Sequence, residues 1–287
     1  MKSAKKILGV LTAGVLMLSA AGCGLVAGSK SAGSAAGDGS WKKVKSAGQL
    51  VLGFDKAFPP MGYIDTETGK TVGFDIDMAA EACKRLGIRA KFQPIDWENK
   101  LAEINNGNVD CLWNGFSKTA EREKQLDLSI PYMKNNQIVL IKTGLPYQGL
   151  ESLAGKTIGV QSDSSAETAL NDAANAPFKK SLKEIVRIDD YSKAVLEIQN
   201  GTVDAIAIDE VVARYYLTKN PGAYAILQDK GGKDVSLAVE DYVVGFRKSD
   251  DTLKQKIEGA LKDMSKDGTA AKISQKWFGK DVVTLPK

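Results

Sequence analysis

The sequence predicts an α/β fold built from two similar lobes. Short apolar segments of strand length alternate with amphipathic segments of about ten to fifteen residues, which is typical of βαβ units and a mainly parallel sheet. An internal repeat indicates two lobes, because residues 103–110 (EINNGNVD) resemble residues 197–204 (EIQNGTVD), and each segment joins a predicted helix to a predicted strand. The 287 residues suffice for two lobes, each with a core.

Composition excludes several classes of protein. Hydrophobic residues make up 43% of the chain and charged residues 26%, which is typical of globular proteins. Removing the three lysines of residues 1–22 leaves 36 basic against 35 acidic residues, so the remaining chain is nearly neutral, and we expect no nucleic-acid partner. The chain contains no histidine, which excludes histidine-based catalytic triads and histidine zinc sites. We expect no metal and no cofactor.

The first residues have the pattern of a lipoprotein signal peptide at residues 1–22. Three lysines precede an apolar run at residues 7–18, which is too short to span a membrane comfortably. Residues 18–23 (LSAAGC) are similar to a bacterial lipobox, whose cysteine is lipidated after cleavage, so Cys23 is the predicted lipidation site. A plain signal peptide is the alternative. Residues 23–40 are rich in Gly, Ala and Ser, which predicts a flexible tether.

The first lobe is predicted over residues 41–132. In open α/β sheets ligands bind beyond the carboxyl ends of the strands. The residues that fall at such ends are Asp55, Phe58, Trp97 and Asn114. The predicted elements are strands at 49–54, 88–94 and 109–113 and helices at 75–86 and from 96–97 to 106–107.

Residues 114–122 (NGFSKTAER) predict an anion-binding turn, because the start of a helix presents unpaired N–H groups and partial positive charge. Either Ser117 or Thr119 is the N-cap. Arg122 in the first turn opposes the helix dipole, so an anionic partner is expected beside it. That partner is either a bound anion or a neighbouring side chain, Glu121 or Glu123.

The second lobe is predicted over residues 137–237, and residues 243–287 return to the first lobe and form the C-terminal helices. Asp209 follows an apolar strand and precedes a helix, so it is predicted to be the N-cap of that helix, a ligand-binding group, or both. The predicted elements are strands at 156–160, 185–188, 205–208 and 239–246 and helices at 166–174, 191–199, 210–217, 251–267 and 270–277.

Two cysteines remain in the folded part. Cys83 lies on the apolar face of a predicted helix and Cys111 lies inside a predicted strand, so both are expected to be buried small hydrophobic residues. A disulfide between them is the alternative in an extracytoplasmic setting.

A set of short motifs in a fixed order resembles the polar amino acid family of extracellular solute-binding proteins of ABC importers, whose familiar members include glutamine- and histidine-binding proteins. The resemblance covers about residues 45–280 and implies a periplasmic-binding-protein-like fold of type II. In this fold two α/β lobes are joined by a two-strand hinge and close around a ligand. The motifs are GFDID at 73–77, GNVD at 107–110, the turn at 117–122, PY at 131–132, GKTIGV at 155–160 and KWFG at 276–279.

The resemblance also implies a role for each candidate site residue. Arg122 would hold the α-carboxylate of an amino acid bidentately. Asp209 would accept hydrogen bonds from the α-ammonium. The other implied contacts are donors to the carboxylate from Ser117, Ser164, Ser165 and the backbone near Gly115 and Asn114, aromatic walls from Phe58 and Trp97, and groups at the side-chain tip from Asp55 and Gln161. A core role is the alternative for each aromatic residue.

Some residues depart from the family pattern. Asp163 and Asn114 stand where many members have smaller or different residues. Gln161 stands opposite Asp55 where some members have a lysine, which favours a ligand with a donor or a positive charge.

We therefore expect a monomeric receptor, anchored by its lipid to the outer face of the bacterial cell membrane, that captures a polar or basic amino acid and delivers it to an ABC permease. The chain is not expected to be an enzyme. The alternatives are a dehydratase-like enzyme on the same scaffold and a sensor subunit that acts through a partner.

Overall fold

The computed structural model describes residues 38–287, so the predicted signal peptide at residues 1–22, the lipidation of Cys23 and most of the predicted tether lie outside the described residues. The strands are β1 (Gln49–Phe54), β2 (Ala57–Phe58), β3 (Gly62–Ile64), β4 (Thr71–Val72), β5 (Arg89–Pro94), β6 (Cys111–Ser117), β7 (Asp127–Leu128), β8 (Met133–Lys142), β9 (Thr157–Gln161), β10 (Glu184–Ile188), β11 (Ala205–Asp209), β12 (Tyr224–Ile226) and β13 (Ser236–Phe246). The helices are α1 (Ser40–Ala47), α2 (Phe74–Arg85), α3 (Lys100–Asn105), α4 (Ala120–Gln125), α5 (Ser165–Asn171), α6 (Ala176–Ser181), α7 (Tyr191–Asn200), α8 (Glu210–Lys219), α9 (Asp251–Lys266) and α10 (Thr269–Phe278).

The main sheet is mixed, whereas the sequence predicted a mainly parallel one. Its strand order is β10-β9-β11-β8-β13-β6-β1-β5, with β12 against β8 and β7 against β13. The pairs within each half, β1 with β5 and β6 and β9 with β10 and β11, are parallel. The central strands β8 and β13 are antiparallel to each other and to their neighbours, because the chain crosses between the halves along β8 and returns along β13.

These two long strands divide the molecule into two lobes. In the first lobe α2 and α3 pack against strands β1, β5 and β6, and α9 and α10 pack against α2. In the second lobe α5 and α7 pack against strands β9, β10 and β11. A small antiparallel sheet of β2, β3 and β4 belongs to the first lobe. Cys83 and Cys111 are both buried free thiols, which confirms that they are small hydrophobic core residues. The structure thus has the two-lobed α/β architecture with a two-strand connection that the sequence predicts.

The folded body begins before the predicted end of the tether. Asp38 accepts hydrogen bonds from the backbone N–H of Thr252 (2.8 Å) and from its hydroxyl (2.6 Å). Because N–H groups in the first turn of a helix lack partners within the helix, this carboxylate satisfies one at the start of α9. Helix α1 follows at once, although the sequence analysis placed Ser40 in the tether and assigned no helix there.

Strand β6 continues four residues beyond its predicted end at residue 113. Phe116 and Ser117 pair with β13, so the anion-binding turn predicted at residues 114–122 is a strand followed by the six-residue helix α4. Thr119 is the N-cap and accepts a hydrogen bond from the N–H of Arg122 (3.2 Å), which decides between the two predicted caps. Pairing with β13 comes from a segment more than a hundred residues away, so local pattern could not predict this extension.

Among residues 38–287, no helix is both long enough and apolar enough to span a membrane.

Candidate functional site

Arg122 lies buried at the inner edge of the first lobe, in the first turn of α4. Its Nη1 donates to the carbonyl oxygen of Ser117 (2.9 Å), its Nη2 donates to the carbonyl oxygen of Asp163 in the second lobe (3.4 Å), and its guanidinium lies 4.3 Å from the ring centre of Phe116. Burial lowers the pKa of Arg122. Glu123 pairs with Lys118 instead (2.9 Å), and within the described part of the chain Arg122 forms no ion pair. A buried guanidinium without a carboxylate partner is suited to bind an anion.

Asp209 ends β11 in the second lobe and is 2% exposed. Its carboxylate accepts hydrogen bonds from four side chains. Asp209 occupies the N-cap position of α8, as predicted, but its side chain makes no capping hydrogen bond to the described residues of that helix. Burial, and after it the charge of Glu240, raises the pKa of Asp209 to about 7. The donors are Asn135 Nδ2 (2.7 Å), Gln137 Nε2 (2.7 Å), Tyr242 Oη (2.8 Å) and Tyr191 Oη (3.2 Å).

Hydroxyl and amide groups connect the two lobes between Arg122 and Asp209. The hydroxyl of Ser165 donates to that of Ser117 (3.0 Å), so a predicted pair from opposite lobes meets directly. Gln137 Nε2 also lies 3.1 Å from Ser165 Oγ. The structure therefore brings four of the predicted site residues, Arg122, Ser117, Ser165 and Asp209, to one region.

Glu240 of β13 belongs to this region, and the sequence analysis missed it. Its Oε2 accepts hydrogen bonds from Ser117 Oγ (2.7 Å) and Gln137 Nε2 (2.9 Å). Asn135 and Gln137 of β8 were missed as well. The available signal for Glu240 was an acidic pair, Glu240 and Asp241, near the start of a mostly apolar predicted strand, but nothing local shows that this strand passes beside the site.

The two predicted aromatic walls lie on the first lobe and are both buried. Phe58 contacts Tyr191 of the second lobe, with ring centres 5.6 Å apart. Trp97 contacts Phe116 edge-on at 5.9 Å and lies in an apolar cluster with Ile95. Phe58 therefore lies where the lobes meet, and Trp97 has a core-like environment on one side.

Asp55 and Gln161 form a second bridge between the lobes. Gln161 Nε2 donates to Asp55 Oδ2 (2.6 Å), and the N–H of Ala57 donates to Asp55 Oδ1 (2.8 Å). Burial raises the pKa of Asp55 to about 6. Beside this pair is a cavity of about 260 Å³ whose lining includes Asp55, Lys56, Asp96, Trp97, Glu98, Asp189, Asp190 and Lys193. Acidic side chains outnumber basic ones in this lining, which favours a cationic or hydrogen-donating group.

Lys100 forms a third bridge that the sequence analysis missed. It is 2% exposed, and its Nζ donates to the carbonyl oxygens of Trp97 (3.1 Å) and Asp163 (2.8 Å) and pairs with the carboxylate of Asp163. Burial, and after it the nearby charge of Arg122, lowers the pKa of Lys100 to about 8. Asp163 adopts a left-handed backbone conformation (φ 56°), which is uncommon for a residue other than glycine.

Three predicted residues have contacts or orientations other than the predicted ones. The side chain of Asn114 is directed toward Gly62, and its Oδ1 and Nδ2 have no partner within the described residues. Ser164 caps α5 by accepting from the N–H of Glu167 (3.1 Å). The N–H of Gly115 donates to Asp75 Oδ2 (2.6 Å), because the backbone at Gly115 (φ 55°) turns that N–H into the core.

Among the described residues, no group of three or more Cys, Asp or Glu side chains is arranged to hold a metal ion.

Two lobes connected by two strands, with a buried guanidinium on one lobe and a buried carboxylate on the other, define a two-lobed binding protein. Residues 50–280 match the family of bacterial extracellular solute-binding proteins, family 3, and the chain belongs to this family.

Relatives and solved structures of this kind bind amino acids. The L-cystine-binding protein TcyA of Bacillus subtilis is 30% identical over 284 residues, which cover 97% of this chain and 99% of that protein. The L-cystine-binding protein TcyJ of Escherichia coli is 29% identical over 260 residues, covering 90% and 92%. The crystal structure of Tv2483 bound to L-arginine has a TM-score of 0.80 and 34% identity, covering 87% of this chain and 98% of that one. A Streptococcus pneumoniae substrate-binding protein with bound histidine has a TM-score of 0.80 and 36% identity, covering 86% and 99%.

Proposed function

We propose that this protein binds the two charged ends of an amino acid between its lobes. The observation that carries the proposal is the placement of Arg122 and Asp209, both buried, on opposite lobes, with the hydrogen-bonded hydroxyls of Ser117 and Ser165 in the region between them. Arg122 binds the α-carboxylate through two parallel N–H bonds. Asp209 accepts from the α-ammonium. Because only the closed form presents both groups to one ligand, binding of the ligand stabilises closure.

The side chain of the ligand extends toward Asp55 and Gln161, beside Trp97. The acidic lining of the cavity there supports a polar or basic side chain, and the carboxylate of Asp55 accepts its donor. The relatives with bound arginine and histidine are consistent with this choice. Phe58 and Trp97 contribute apolar surface to the stem of the side chain.

The ligand is delivered to an ABC permease, and the protein acts as a monomer that Cys23 anchors to the outer face of the cell membrane by its lipid. The lipobox-like residues 18–23 and the Gly- and Ser-rich segment after them support anchoring. The family is one of solute-binding proteins, which supports capture and delivery rather than catalysis.

A thermal-shift screen of the twenty common amino acids, cystine and ornithine tests the binding function. A ligand at 100 times its dissociation constant stabilises the protein by about 2.7 kcal/mol, which is a measurable rise in Tm. We expect a basic or amide-bearing amino acid to give the largest rise in wild type and a much smaller rise in Arg122→Ala. No shift with any compound would contradict the proposal.

The anchor is tested separately by expressing wild type and Cys23→Ala in a bacterial host. We expect wild type in the membrane fraction with a lipid-sized mass increase on Cys23, and Cys23→Ala in the soluble fraction. Soluble wild type without the added mass would refute anchoring without affecting the binding proposal.

A further inference from the structure

The strand register places two carboxylates on the same face of the central sheet. On β8, Asn135 and Gln137 are two residues apart, so their side chains point to the same face. Gln137 is the cross-strand partner of Asp209 on β11, and Asn135 is the cross-strand partner of Glu240 on β13. Since directly paired residues share a face, all four side chains meet there. We call Asp209 and Glu240 the diacid pair.

The diacid pair shares its hydrogen-bond donors. Gln137 Nε2 lies 2.7 Å from Asp209 Oδ1 and 2.9 Å from Glu240 Oε2. Asn135 Nδ2 lies 2.7 Å and 3.4 Å from the same two oxygens. Two oxygens bound to one nitrogen at these distances lie within about 6 Å of each other, where like charges repel and one carboxyl holds its proton more tightly.

The region also has more acceptors than donors. Asn135 is 3% exposed and Gln137 is fully buried, and the side-chain carbonyl oxygens Asn135 Oδ1 and Gln137 Oε1 have no hydrogen-bond partner among the described residues. A buried acceptor without a donor destabilises the protein by roughly 1–3 kcal/mol. Two ionised carboxylates would leave this excess in place, whereas a carboxyl O–H or a bound ammonium would reduce it.

The charged and titratable groups that face the diacid pair come from β13 itself and from two further elements, α7 and α4. The hydroxyl of Tyr191 on α7 and that of Tyr242 on β13 both donate to Asp209. Arg122 on α4 is a nearby cation. Burial lowers its pKa, and the negative charges of Glu240, Asp163 and Asp209 act in the opposite direction and raise it. If Arg122 binds the carboxylate of a ligand, that carboxylate neutralises the charge of Arg122. The negative charge of the diacid pair is then balanced only by another cation or by a proton.

We propose that the diacid pair holds one proton in the unliganded protein and releases it to solvent when the α-ammonium of the ligand binds, so that Glu240 is a second ammonium acceptor and ligand binding is coupled to proton release. The inference rests on the proposed binding function. The ammonium N–H groups form hydrogen bonds to Asp209 and Glu240, and the carboxyl O–H proton passes to water. The pKa of about 7 for Asp209 agrees with a proton held near neutral pH.

Titration calorimetry of wild type in buffers of different ionisation enthalpy measures the protons released for each ligand bound. The probes are L-arginine and L-glutamine, because neither side chain exchanges a proton between about pH 5 and 9. A carboxyl with a pKa of about 7 is about nine-tenths protonated at about pH 6, so we expect about 0.9 proton released there and about half a proton at about pH 7. The series stays below about pH 7.5, because at higher pH the free α-amino group of the probe loses its own proton and takes one up on binding. Affinity should weaken nearly tenfold for each pH unit below about 7.

The decisive variant is Glu240→Gln, with Glu210→Gln as the matched control. Glu210 follows Asp209 directly, carries the same charge and bonds to Asn136 and Arg214 instead of the diacid pair. We expect Glu240→Gln to release fewer protons than wild type at about pH 6, because the repulsion from Glu240 is removed while the burial of Asp209 remains, and to bind roughly tenfold to hundredfold more weakly at about pH 7. Glu210→Gln should match wild type in both measurements.

Binding of either probe to wild type with no proton release at about pH 6 would overturn the inference while the binding function stands. So would a folded Glu240→Gln protein with unchanged proton release and affinity. If Glu240→Gln does not fold, the wild-type buffer series alone decides. Absence of binding by every amino acid in the screen would overturn the proposed function and this inference with it.

Discussion

Replacing Asp209, which occupies the N-cap position of α8, with asparagine tests whether its negative charge binds the ligand. Asparagine has the same shape and is as good an N-cap as aspartate, so a residue that only caps α8 would tolerate the change. In Asp209→Asn the remaining side-chain oxygen can still accept from Asn135, Gln137 and Tyr242, which all donate to one oxygen of Asp209. The change therefore removes the negative charge and leaves most of the hydrogen-bond geometry in place.

The expected loss of affinity follows from the charge. A hydrogen bond from an ammonium to a carboxylate contributes roughly 1.5–3 kcal/mol, so Asp209→Asn should bind the amino acid about tenfold to 150-fold more weakly. The free energy of unfolding should change in the opposite direction, because at high pH Asp209→Asn should be more stable than wild type. Burial raises the pKa of Asp209 from 3.8 to about 7, so the contribution of this group to stability is fully present below about pH 4 and is lost as pH rises through about 7.

The size of that loss is set by the same pKa change, which corresponds to at most about 4 kcal/mol at pH values well above 7. Asp209→Asn cannot ionise, so its free energy of unfolding should fall less than that of wild type between about pH 5 and 8.5. Calorimetry measures the affinity, and urea unfolding at both pH values measures the stability. Equal affinity in the two proteins would refute the ammonium role, and a parallel pH dependence of stability would refute the buried-charge reasoning.

The remaining predictions concern three other buried charges. Arg122→Lys keeps the charge but loses the planar pair of donors, so calorimetry should show at least about tenfold weaker binding; undiminished affinity, or full compaction in small-angle scattering with an amidated ligand, would contradict the clamp. Lys100→Met removes an ion pair between the lobes and leaves the 47% exposed Asp163 side chain to water. Small-angle scattering without ligand should then show a larger radius of gyration than that of wild type. An identical radius would show that this ion pair does not hold the lobes together. Asp75 is fully buried, and burial raises its pKa to about 7. In urea unfolding Asp75→Asn should therefore be more stable than wild type by about 1–3 kcal/mol at about pH 8.5 and nearly unchanged in stability at about pH 5. A loss of stability at both pH values would refute this prediction.

The sequence by itself determined the elements whose signals are local. Periodicity predicted α2, β11 and α9 close to their observed bounds, because apolar spacing along a helix or strand depends only on neighbouring residues. The order of the motifs indicated the family, and the family match over residues 50–280 confirms it. Arg122 was predicted as a cation in the first turn of a helix and Asp209 as the residue after an apolar strand, whereas Ser165 was predicted from the family resemblance.

The tertiary structure alone decided which other side chains share that site. Glu240, Asn135 and Gln137 lie on the two crossing strands, and only the register of β8 against β11 and β13 places them beside Asp209. Lys100 has the sequence context of a solvated helix residue, yet closure of the lobes buries it against Asp163. The free N–H predicted at Gly115 is occupied by Asp75, forty residues earlier in the chain. Such pairings depend on strand register and on contact between the lobes, which spacing along one segment cannot specify.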